Sequence, residues 1–421
     1  MTVTPPPRQF LFLQGPTNFL FAEVAKGLRE RGHITHRINV CLGDQIFWRG
    51  PGAVNFRGRQ TEWPAFIDEF FARHSITDIV LLGEQRDLHR AAIAAARTRD
   101  IRVTVTDFGY IRPDWVIVEM NGMNADSLFP REPEAILEMA RDLPPIDRQV
   151  RYRDSFLNQA LLDMTFHLST ALWPWTFPHF KRYTLRHPIL TYLGIGLRLA
   201  RGGIESRRAG RALAIVAARG PLYLFAMQTE ADYSLRAYSR YPDLDHPMRE
   251  AIQSFARHAP PPASLVFKVH PLDPGLKDWR RRIARMAREA GVAERVFYID
   301  GGALDALIVA SSGVITVNST VGVRTIELQR PIFALGDAIY CVPGVTFTGS
   351  LDDFWKMGQA PDPVLADALL RAQAATLHVR GGYYSRERVE AAAAGMIYRL
   401  HHGLVNQPLA EVARGEELRD R

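Results

Sequence analysis

Hydrophobic and polar positions follow two different periods along the first third of the chain. The short apolar runs QFLFLQG, THRINVC, DIVLLG and IRVTVTD have the length and the pattern of β-strands. Helical patterns lie between them, of which TNFLFAEVAKGLRERG is predicted to start at an N-cap, Thr17, and to stop at Gly32. Strands that alternate with helices indicate a parallel sheet covered by helices on both faces.

The pattern changes near residue 143 and changes back near residue 220. Residues 143–219 show helical patterns interrupted by Pro174, Pro178 and Pro188, which predict a helical insertion. The alternation then restarts, with strand candidates in PLYLFAMQ, SLVFKVH, VFYID, GVITVNS and PIFALG. We therefore predict an α/β fold with Rossmann-like domains at 1–142 and 220–380, the insertion between them and a helical tail at 381–421. Two such domains facing each other across a cleft form the GT-B-like architecture of many glycosyltransferases, although architecture alone does not fix function.

The composition is typical of a globular protein: of 421 residues, 47% are hydrophobic and 23% are charged. No apolar run reaches the roughly 20 residues that span a bilayer, since the best candidate, PILTYLGIGL, ends at Arg198. The N-terminal MTVTPPPRQFLFLQG lacks the basic start and long apolar core of a secretory signal, so a cytoplasmic location is expected. Cys41 and Cys341 are too isolated to indicate a disulfide framework or a zinc site.

Positive charge is concentrated in one part of a chain whose formal net charge is +7. Between residues 181 and 211 a single acid, Glu205, accompanies Lys181, Arg182, Arg186, Arg198, Arg201, Arg207, Arg208 and Arg211. The aromatic stretch ALWPWTFPHF, with Trp173 and Trp175, directly precedes them. This combination suits the headgroup layer of an anionic membrane, although a solvated helical face with its aromatic residues packed on the domain has the same pattern. No nucleic acid partner is expected, because no known binding module accompanies the charge.

Two segments of the second half carry groups that can bind phosphate. In KVHPLDPG, Lys268, His270 and Pro271 follow an apolar strand, and the proline stops the β-ladder, so the imidazole should project from the carboxyl edge. In GVITVNSTVGVRTIEL, a strand leads into a helix through Asn318, Ser319 and Thr320. Backbone amides at such a junction bind anions. Either feature alone has a structural explanation, a core histidine or a helix cap; together, at one edge, they predict a phosphate site that is not a Walker loop.

Three predicted strands of the first half end in polar segments. These are Gln14 with Gly15, residues 83–87 and residues 107–112. The carboxyl ends of parallel strands meet at one edge of the sheet, where ligands of open α/β sheets bind. Arg112 is a candidate at this edge, since its guanidinium can pair with a ligand carboxylate or with Asp107 itself.

Two acids of the first half are candidates for catalysis. Asp107 ends IRVTVTD, ahead of Gly109, which allows a tight turn, and Glu119 closes the next extended stretch, WVIVE. Sugar transfer that retains configuration by double displacement needs a carboxylate at the anomeric carbon and a second group for the proton. Acids at strand ends often only cap a helix, so both interpretations stand at this point. No cluster of acids has metal-ligand spacing, and no metal or cofactor is predicted.

Longer stretches resemble the capsule polysaccharide biosynthesis proteins of the KpsS/LipB type. In chain order they are FLQGPTNFLF, INVCLGDQIFWRG, LLGEQRDLHRAA, DFGYIRPDWVIVEMNGMN, KVHPLDPG, ITVNSTVGVRTIELQRPIFALGDAIY, GVTFTGSLDDFW and GGYYS. The resemblance implies a retaining β-Kdo transferase that uses CMP-Kdo as donor. It further implies a lipid acceptor of the phosphatidylglycerol type, a position at the inner face of the cytoplasmic membrane, and other capsule-synthesis proteins as partners.

The residue patterns above and the resemblance together give candidate roles to particular residues. Asp107, Glu119 and His270 would be catalytic. The donor would be bound by Gln14, Gly15, Arg112, Lys268, His270, Pro271, Asn318, Ser319 and Thr320. The membrane would be contacted by Trp173, Trp175, Lys181, Arg182 and Arg186.

One departure from the family pattern falls on the turn after the fourth strand candidate. In the family two acids precede the Gly-aromatic pair, whereas here Asp107 is followed by Phe108. Adjacent strand residues point to opposite faces, so an acid shifted by one position is not equivalent to its neighbour. Asp107 could still serve, Glu119 could replace it, or the protein could be a non-catalytic assembly or export protein. A separate alternative keeps the two-domain cleft and the enzyme but changes the donor to a different CMP- or nucleotide-sugar.

Overall fold

The structure, a computed structural model, describes residues 6–153, 155–182, 186–416 and 418. The chain divides into two compact units. Unit 1 consists of Met1–Phe129, Met139–Tyr183 and Leu370–Arg421, and unit 2 of Pro130–Glu138 and Thr184–Leu369. The predicted segments 1–142, 143–219, 220–380 and 381–421 are continuous, whereas both units are assembled from separate stretches.

Strands and helices alternate as the hydrophobic pattern predicts. Up to residue 182 they are β1 Gln9–Phe12, α1 Leu20–Glu30, β2 Ile34–Asn39, α2 Leu42–Ile46, β3 Ala53–Asn55, α3 Trp63–Arg73, β4 Asp78–Leu82, α4 Asp87–Arg97, β5 Arg102–Phe108, β6 Trp115–Met120, α5 Pro133–Ala140 and α6 Phe156–Leu172. From residue 186 they are α7 Pro188–Ala200, α8 Gly202–Ala217, β7 Leu222–Ala226, α9 Tyr233–Ala237, α10 Asp245–His258, β8 Ser264–Lys268, α11 Trp279–Glu289, β9 Val296–Ile299, α12 Leu304–Ala310, β10 Gly313–Thr316, α13 Val321–Glu327, β11 Ile332–Ala334, α14 Leu351–Met357, α15 Pro363–Leu377, β12 His378–Arg380, α16 Arg386–His402 and α17 Ala410–Ala413. Every strand candidate from the sequence is confirmed as a strand.

Unit 1 is built on a seven-stranded sheet in the order β12-β6-β5-β4-β1-β2-β3. Strands β1 to β5 are parallel, as predicted, but β6 pairs antiparallel with both β5 and β12. Only residues 109–114 connect β5 with β6, and a parallel pair requires a crossover of about a dozen residues or more. The chain therefore returns as a hairpin, and β6 ends at the edge opposite to the carboxyl ends of β1, β4 and β5.

Helix α1 packs its apolar face on the sheet of unit 1. Leu20, Val24 and Leu28 recur every four residues and are fully buried in the core. The helix begins at Leu20, so the prediction that Thr17 is its N-cap is wrong. Asn18 takes that role in part, because its side-chain oxygen accepts a hydrogen bond from the Leu20 amide at 2.8 Å.

Unit 2 is built on a five-stranded parallel sheet in the order β11-β10-β7-β8-β9. Its central strands β7 and β10 are buried on both faces, as expected of a parallel sheet covered by helices. Phe225 and Phe267 pack with 4.8 Å between their ring centroids, and the Trp355 indole donates a hydrogen bond to Ser254 at 2.7 Å. Phe225, Phe267 and Trp355 belong to the hydrophobic core of unit 2.

None of the helices in the described ranges combines the length and the hydrophobicity needed to cross a membrane. The apolar stretch singled out in the sequence forms α7, which has 13 residues. At 1.5 Å per residue this helix is about 20 Å long, against about 30 Å for the hydrocarbon core of a bilayer.

Candidate functional site

The strand order of unit 1 reverses between β1 and β4, since β2 and β3 lie on one side of β1 and β4 and β5 on the other. In open α/β sheets ligands bind at the carboxyl ends of the strands beside such a reversal. Gln14 and Gly15 follow β1 and residues 83–87 follow β4, so both predicted segments lie at this point. Arg86 joins them by donating a hydrogen bond from Nη1 to Oε1 of Gln14 at 2.7 Å.

Gln14 and Gly15 are held inside unit 1. The buried Gln14 amide also donates to Asp44 at 3.3 Å, so its side chain orients Arg86. Gly15 lies against the ring of Phe21, where an added Cβ would come within 2.5 Å of a ring carbon. Only glycine allows this close approach at the end of β1.

Carboxyl groups gather where β4 and β5 end. Asp107 is partly exposed, and its Oδ1 accepts a hydrogen bond from the Phe108 amide at 2.7 Å. Its Oδ2 lies close to Gly83, since a Cβ atom added to this glycine would be 3.9 Å away. Glu84, which follows Gly83 in the chain, is buried. Burial, together with the carboxylates of Asp107 and Asp126, raises the pKa of Glu84 to about 8. Near neutral pH the edge therefore holds a protonated carboxyl group beside Asp107.

Glu119 lies in the interior of unit 1, below this edge. It pairs in register with Val105, two residues before Asp107, so all three side chains are on one face of the sheet. Its fully buried carboxylate accepts hydrogen bonds from the hydroxyl groups of Tyr110, at 3.3 Å, and Ser127. Burial and the Glu119 charge raise the pKa of Tyr110. Glu119 thus orients a neutral phenol beneath the carboxyl cluster.

The turn between β5 and β6 is held by close backbone contacts and by a histidine. The Gly109 amide donates to the Trp115 carbonyl at 2.9 Å, and a Cβ on Gly109 would come within 2.6 Å of that oxygen. The Tyr110 amide donates to Nε2 of the buried His378 at 3.0 Å. The proton of this neutral imidazole is therefore on Nδ1, which donates to the Gln373 carbonyl at 2.8 Å.

Acid is expected to destabilise unit 1 through His378. Burial lowers the pKa of His378 to about 4, whereas an unfolded histidine titrates near 6.5. Between these values the folded protein binds fewer protons than the unfolded chain, so the free energy of unfolding decreases as the pH falls from about 6.5 to about 4. The contribution of His378 is about 3 kcal/mol. Denaturant unfolding of the wild-type protein and His378→Gln at pH 7 and pH 4.5 measures it: the difference between them should shrink in acid, and a constant difference would contradict the assignment.

Phe108 and Arg112 lie on the other side of the turn. Phe108 is 39% exposed, and its ring centroid lies 4.7 Å from that of Tyr383 and 5.9 Å from that of Tyr384. The exposed Arg112 guanidinium lies 5.4 Å from the centroid of the Phe108 ring. Since neighbours along a strand alternate in direction, a carboxylate at position 108 would project toward these tyrosines and away from the face of Asp107.

The strand order of unit 2 reverses between β7 and β10, and Gln228 and Asn318 follow these two strands. The Asn318 amide donates to Gln228 Oε1 at 2.9 Å, Gln228 Nε2 donates to Asn318 Oδ1 at 2.8 Å, and Asn318 Nδ2 donates to the Ser234 carbonyl at 2.7 Å. Asn318 therefore fixes the two loops to each other. Ser319 and Thr320 come next and are partly exposed.

His270 lies at the same edge of unit 2, because β8, which precedes it, is the other neighbour of β7. With one strand between them, the loops of His270 and Ser319 are about 10 Å apart. Nδ1 of His270 accepts a hydrogen bond from the backbone amide two residues on, at 3.1 Å. The neutral imidazole then has its proton on Nε2, the nitrogen that can donate to a phosphate oxygen. Lys268 donates to the Gly301 carbonyl at 2.9 Å, and burial lowers its pKa.

Arg198 of α7 holds the His-Pro loop. Its Nη1 donates to the carbonyl oxygens of His270, Pro271 and Asp273 at 3.0, 2.7 and 2.7 Å. Its Nε and Nη2 form a bidentate pair with Asp300 at 2.7 and 2.6 Å. The hydrogen bonds that Arg198 donates to Asp300 raise the pKa of Arg198. One guanidinium thus joins α7, the His-Pro loop and the residue after β9.

The residues assigned to the membrane lie on the surface. Trp173, Trp175, Lys181 and Arg182 belong to unit 1 and Arg186 to unit 2, and all five are exposed. Among the described residues no three His, Cys, Asp or Glu side chains form a group that could hold a metal ion. Both cysteines are free thiols.

The roles of four residues were not predicted from the sequence: Glu84, His378, Gln228 and Arg198. Glu84 lies within the predicted segment 83–87 but was not singled out, and Gln228, two residues after β7, could have been found by the strand-end rule that led to Asp107 and His270. Arg198 was grouped with the basic residues between positions 181 and 211, and no role of its own was predicted for it. Nothing in the sequence near His378 indicates that this histidine contacts the β5–β6 turn.

Comparison with known proteins identifies relatives over most of the chain. A family model described as capsule polysaccharide biosynthesis protein matches residues 77–384. The capsule polysaccharide export protein KpsS of Escherichia coli is 28% identical over 370 residues, which are 86% of this chain and 93% of that protein. The capsule polysaccharide modification protein LipB of Neisseria meningitidis is 27% identical over 401 residues, 89% of this chain and 91% of that protein. A solved structure of the KpsC beta Kdo 2,7 transferase of Thermosulfurimonas dismutans aligns with 92% of this chain and 98% of its own, at 11% identity and a TM-score of 0.42.

Proposed function

Since the chain belongs to the capsule polysaccharide biosynthesis family, we propose that it is a glycosyltransferase of capsule synthesis. It transfers Kdo from CMP-Kdo to a phosphatidylglycerol-type lipid and retains the β configuration. The observation that carries this proposal is the carboxyl cluster of unit 1, where Asp107 of the DFGYIRP turn lies beside Glu84, which is protonated near neutral pH. Double displacement uses two carboxyl groups, an ionised one as the nucleophile and a protonated one as the general acid.

In the proposed mechanism Asp107 attacks the anomeric carbon, the bond to the phosphate oxygen breaks, and CMP leaves with the bonding electrons. The lipid hydroxyl then attacks this carbon on the face opposite Asp107, which departs as a carboxylate. In the first step Glu84, which is protonated near neutral pH, gives its proton to the departing phosphate oxygen and becomes a carboxylate. The Glu84 carboxylate then takes the proton of the lipid hydroxyl. Glu119 contributes by orienting Tyr110 below these groups.

Unit 2 binds the CMP portion in this proposal. His270 donates from Nε2 to the phosphate, and Ser319 and Thr320 contribute hydroxyl groups at the neighbouring strand end. Lys268 and Asn318 act mainly through the loops that they hold. Arg112 of unit 1, which is exposed, pairs with the carboxylate of Kdo.

The His270→Ala variant is expected to bind CMP at least about 10-fold more weakly, because a hydrogen bond to a charged phosphate contributes about 1.5–3 kcal/mol. Isothermal titration calorimetry with CMP measures the change. His246→Ala is the matched control, an exposed histidine of unit 2 that contacts Asp243 at 2.7 Å. Equal CMP affinity of His270→Ala and the wild-type protein would remove His270 from the phosphate site.

Incubation with CMP-Kdo and a fluorescent phosphatidylglycerol, followed by mass analysis, tests the function. The expected product is the lipid with added Kdo, accompanied by free CMP. A panel of CMP- and other nucleotide-sugars distinguishes a different donor. The replacement of the family's second acid by Phe108 favours one alternative, a non-catalytic capsule-assembly or export protein. Binding of CMP-Kdo without release of CMP would support that alternative and contradict transfer.

The lipid acceptor requires the protein to work at a membrane surface, and we propose a peripheral position at the inner face of the cytoplasmic membrane. Trp173 and Trp175 are 46% and 68% exposed, and Lys181, Arg182 and Arg186 follow them. Exposed tryptophan beside basic residues suits the interface of an anionic bilayer. Other capsule-synthesis proteins are the expected partners there.

A further inference from the structure

Helix α7 exposes an apolar stripe. Ile189, Leu190, Leu193 and Leu197 are between 41% and 60% exposed, although they are large and hydrophobic. At 100° per residue they share one half of the helix surface, and Gly196 and Ala200 complete this half without a charged side chain. On the opposite half Pro188 and Gly194 are buried and Arg198 pairs with Asp300, while Leu199 is a further exposed apolar residue. The stripe therefore lacks the polar residues that a solvated helix presents to water.

Helix α8 places positive charge next to this stripe. Arg201 joins the two helices, and Arg207 and Arg211 lie on the exposed side of α8 together with Ile204 and Ile215. The acid of this segment, Glu205, is engaged in ion pairs with Arg208 and Arg280. Its charge is thus offset, and the exposed surface of the helix pair remains cationic.

We propose that the α7–α8 pair is a docking surface for an anionic bilayer. The stripe of α7 enters the boundary between headgroups and acyl chains, and the arginines of α8 lie at the level of the lipid phosphates. The pair lies flat, since α7, with 13 residues, is too short to span the hydrocarbon core. This inference deepens the membrane association proposed above and assigns it to 188–217, beyond the residues around Trp175.

Charge favours a membrane over a second copy of the chain as the occupant of this surface. A symmetric dimer would place the same patch on both sides of its interface, so Arg207 and Arg211 would face the arginines of the other copy. Like charges at an interface oppose association. An anionic bilayer presents the complementary charge together with an apolar layer of the right depth.

Co-sedimentation with vesicles tests the proposal. The wild-type protein should bind vesicles that contain about one third phosphatidylglycerol at least about 10-fold more tightly than vesicles of phosphatidylcholine alone. The double variant Leu193→Gln/Leu197→Gln should lose at least about 10-fold in affinity for the anionic vesicles. Arg207→Gln/Arg211→Gln should lose affinity for the anionic vesicles only, and its binding should depend less on salt. Met357→Gln/Val364→Gln is the matched control, since both residues are exposed and apolar, at 61% and 67%, on other helices of unit 2.

Two outcomes would overturn the proposal. One is unchanged vesicle binding by the leucine variant; the other is a wild-type dimer in light scattering that this variant converts to a monomer while vesicle binding stays the same. Transfer of Kdo to a short-chain, water-soluble phosphatidylglycerol separates this test from that of the enzyme. The leucine variant should keep this activity. Absence of transfer in the wild-type protein would refute the proposed function and leave the vesicle result to decide the docking surface.

Discussion

The Asp107→Asn variant is expected to transfer Kdo at least about 1,000-fold more slowly than the wild-type protein. Asparagine has nearly the same shape, and its oxygen can still accept the hydrogen bond that the Phe108 amide donates at 2.7 Å. Its amide group is not a nucleophile, however, so no covalent intermediate forms. The loss should appear in the rate of CMP release from CMP-Kdo in the presence of lipid. The affinity for CMP should stay the same, because the CMP portion is assigned to unit 2.

Asp100→Asn is the matched control for this prediction. Asp100 is an exposed acid of unit 1 that precedes β5, at the opposite end of this strand from Asp107, and its loss should leave the rate unchanged. Thermal unfolding of both variants checks that neither has lost its fold. Full activity of Asp107→Asn would exclude Asp107 as the nucleophile. Loss of activity in Glu119→Gln would then favour the buried acid.

Replacing Arg198 with methionine is expected to affect both the stability of unit 2 and its affinity for CMP. Methionine has a similar length but no donors, so three carbonyl groups lose a hydrogen bond and the largely buried Asp300 loses its bidentate partner. We expect the free energy of unfolding of unit 2 to fall by about 3 kcal/mol. CMP should bind about 10-fold more weakly, because the loop that carries His270 is no longer held. Denaturant unfolding and calorimetry measure the two effects.

Arg208→Met provides the comparison for Arg198→Met. Arg208 pairs with Glu205 at 2.8 Å, but its side chain is 55% exposed, and exposed ion pairs contribute little to stability. Its loss should change the free energy of unfolding by less than about 1 kcal/mol and leave CMP binding as it is. If Arg198→Met behaved in the same way, Arg198 would not position the His-Pro loop.

The strands of both sheets could be predicted because the pattern that defines them is local. QFLFLQG and DIVLLG are nearly continuous apolar runs, as expected of strands buried on both faces, and they form β1 and β4. The strand ends could be predicted for the same reason, so Asp107 and His270 were found from the residues alone. β12 was not predicted, because the pattern of a three-residue strand is too short to be distinguished from the end of a helix.

The direction of β6 and the position of Glu119 were harder to predict. As a catalytic acid, Glu119 would lie at the edge where the parallel strands of unit 1 end. The hairpin instead brings Glu119 next to Val105, inside the unit, where the hydroxyl groups of Tyr110 and Ser127 surround it. The six-residue link visible in the sequence could have indicated the hairpin.

By itself the sequence determined the α/β class, the strand candidates, the resemblance to capsule polysaccharide biosynthesis proteins and the types of residue at the strand ends. These properties depend on neighbours within a few positions, or on motifs that are continuous in the chain. Only the tertiary structure decided that Glu84 is buried beside Asp107, that His378 holds the Tyr110 amide and that Arg198 holds the loop of His270. Contacts between residues tens to hundreds of positions apart depend on strand order, register and helix packing. These properties cannot be predicted from the hydrophobic pattern of a short segment.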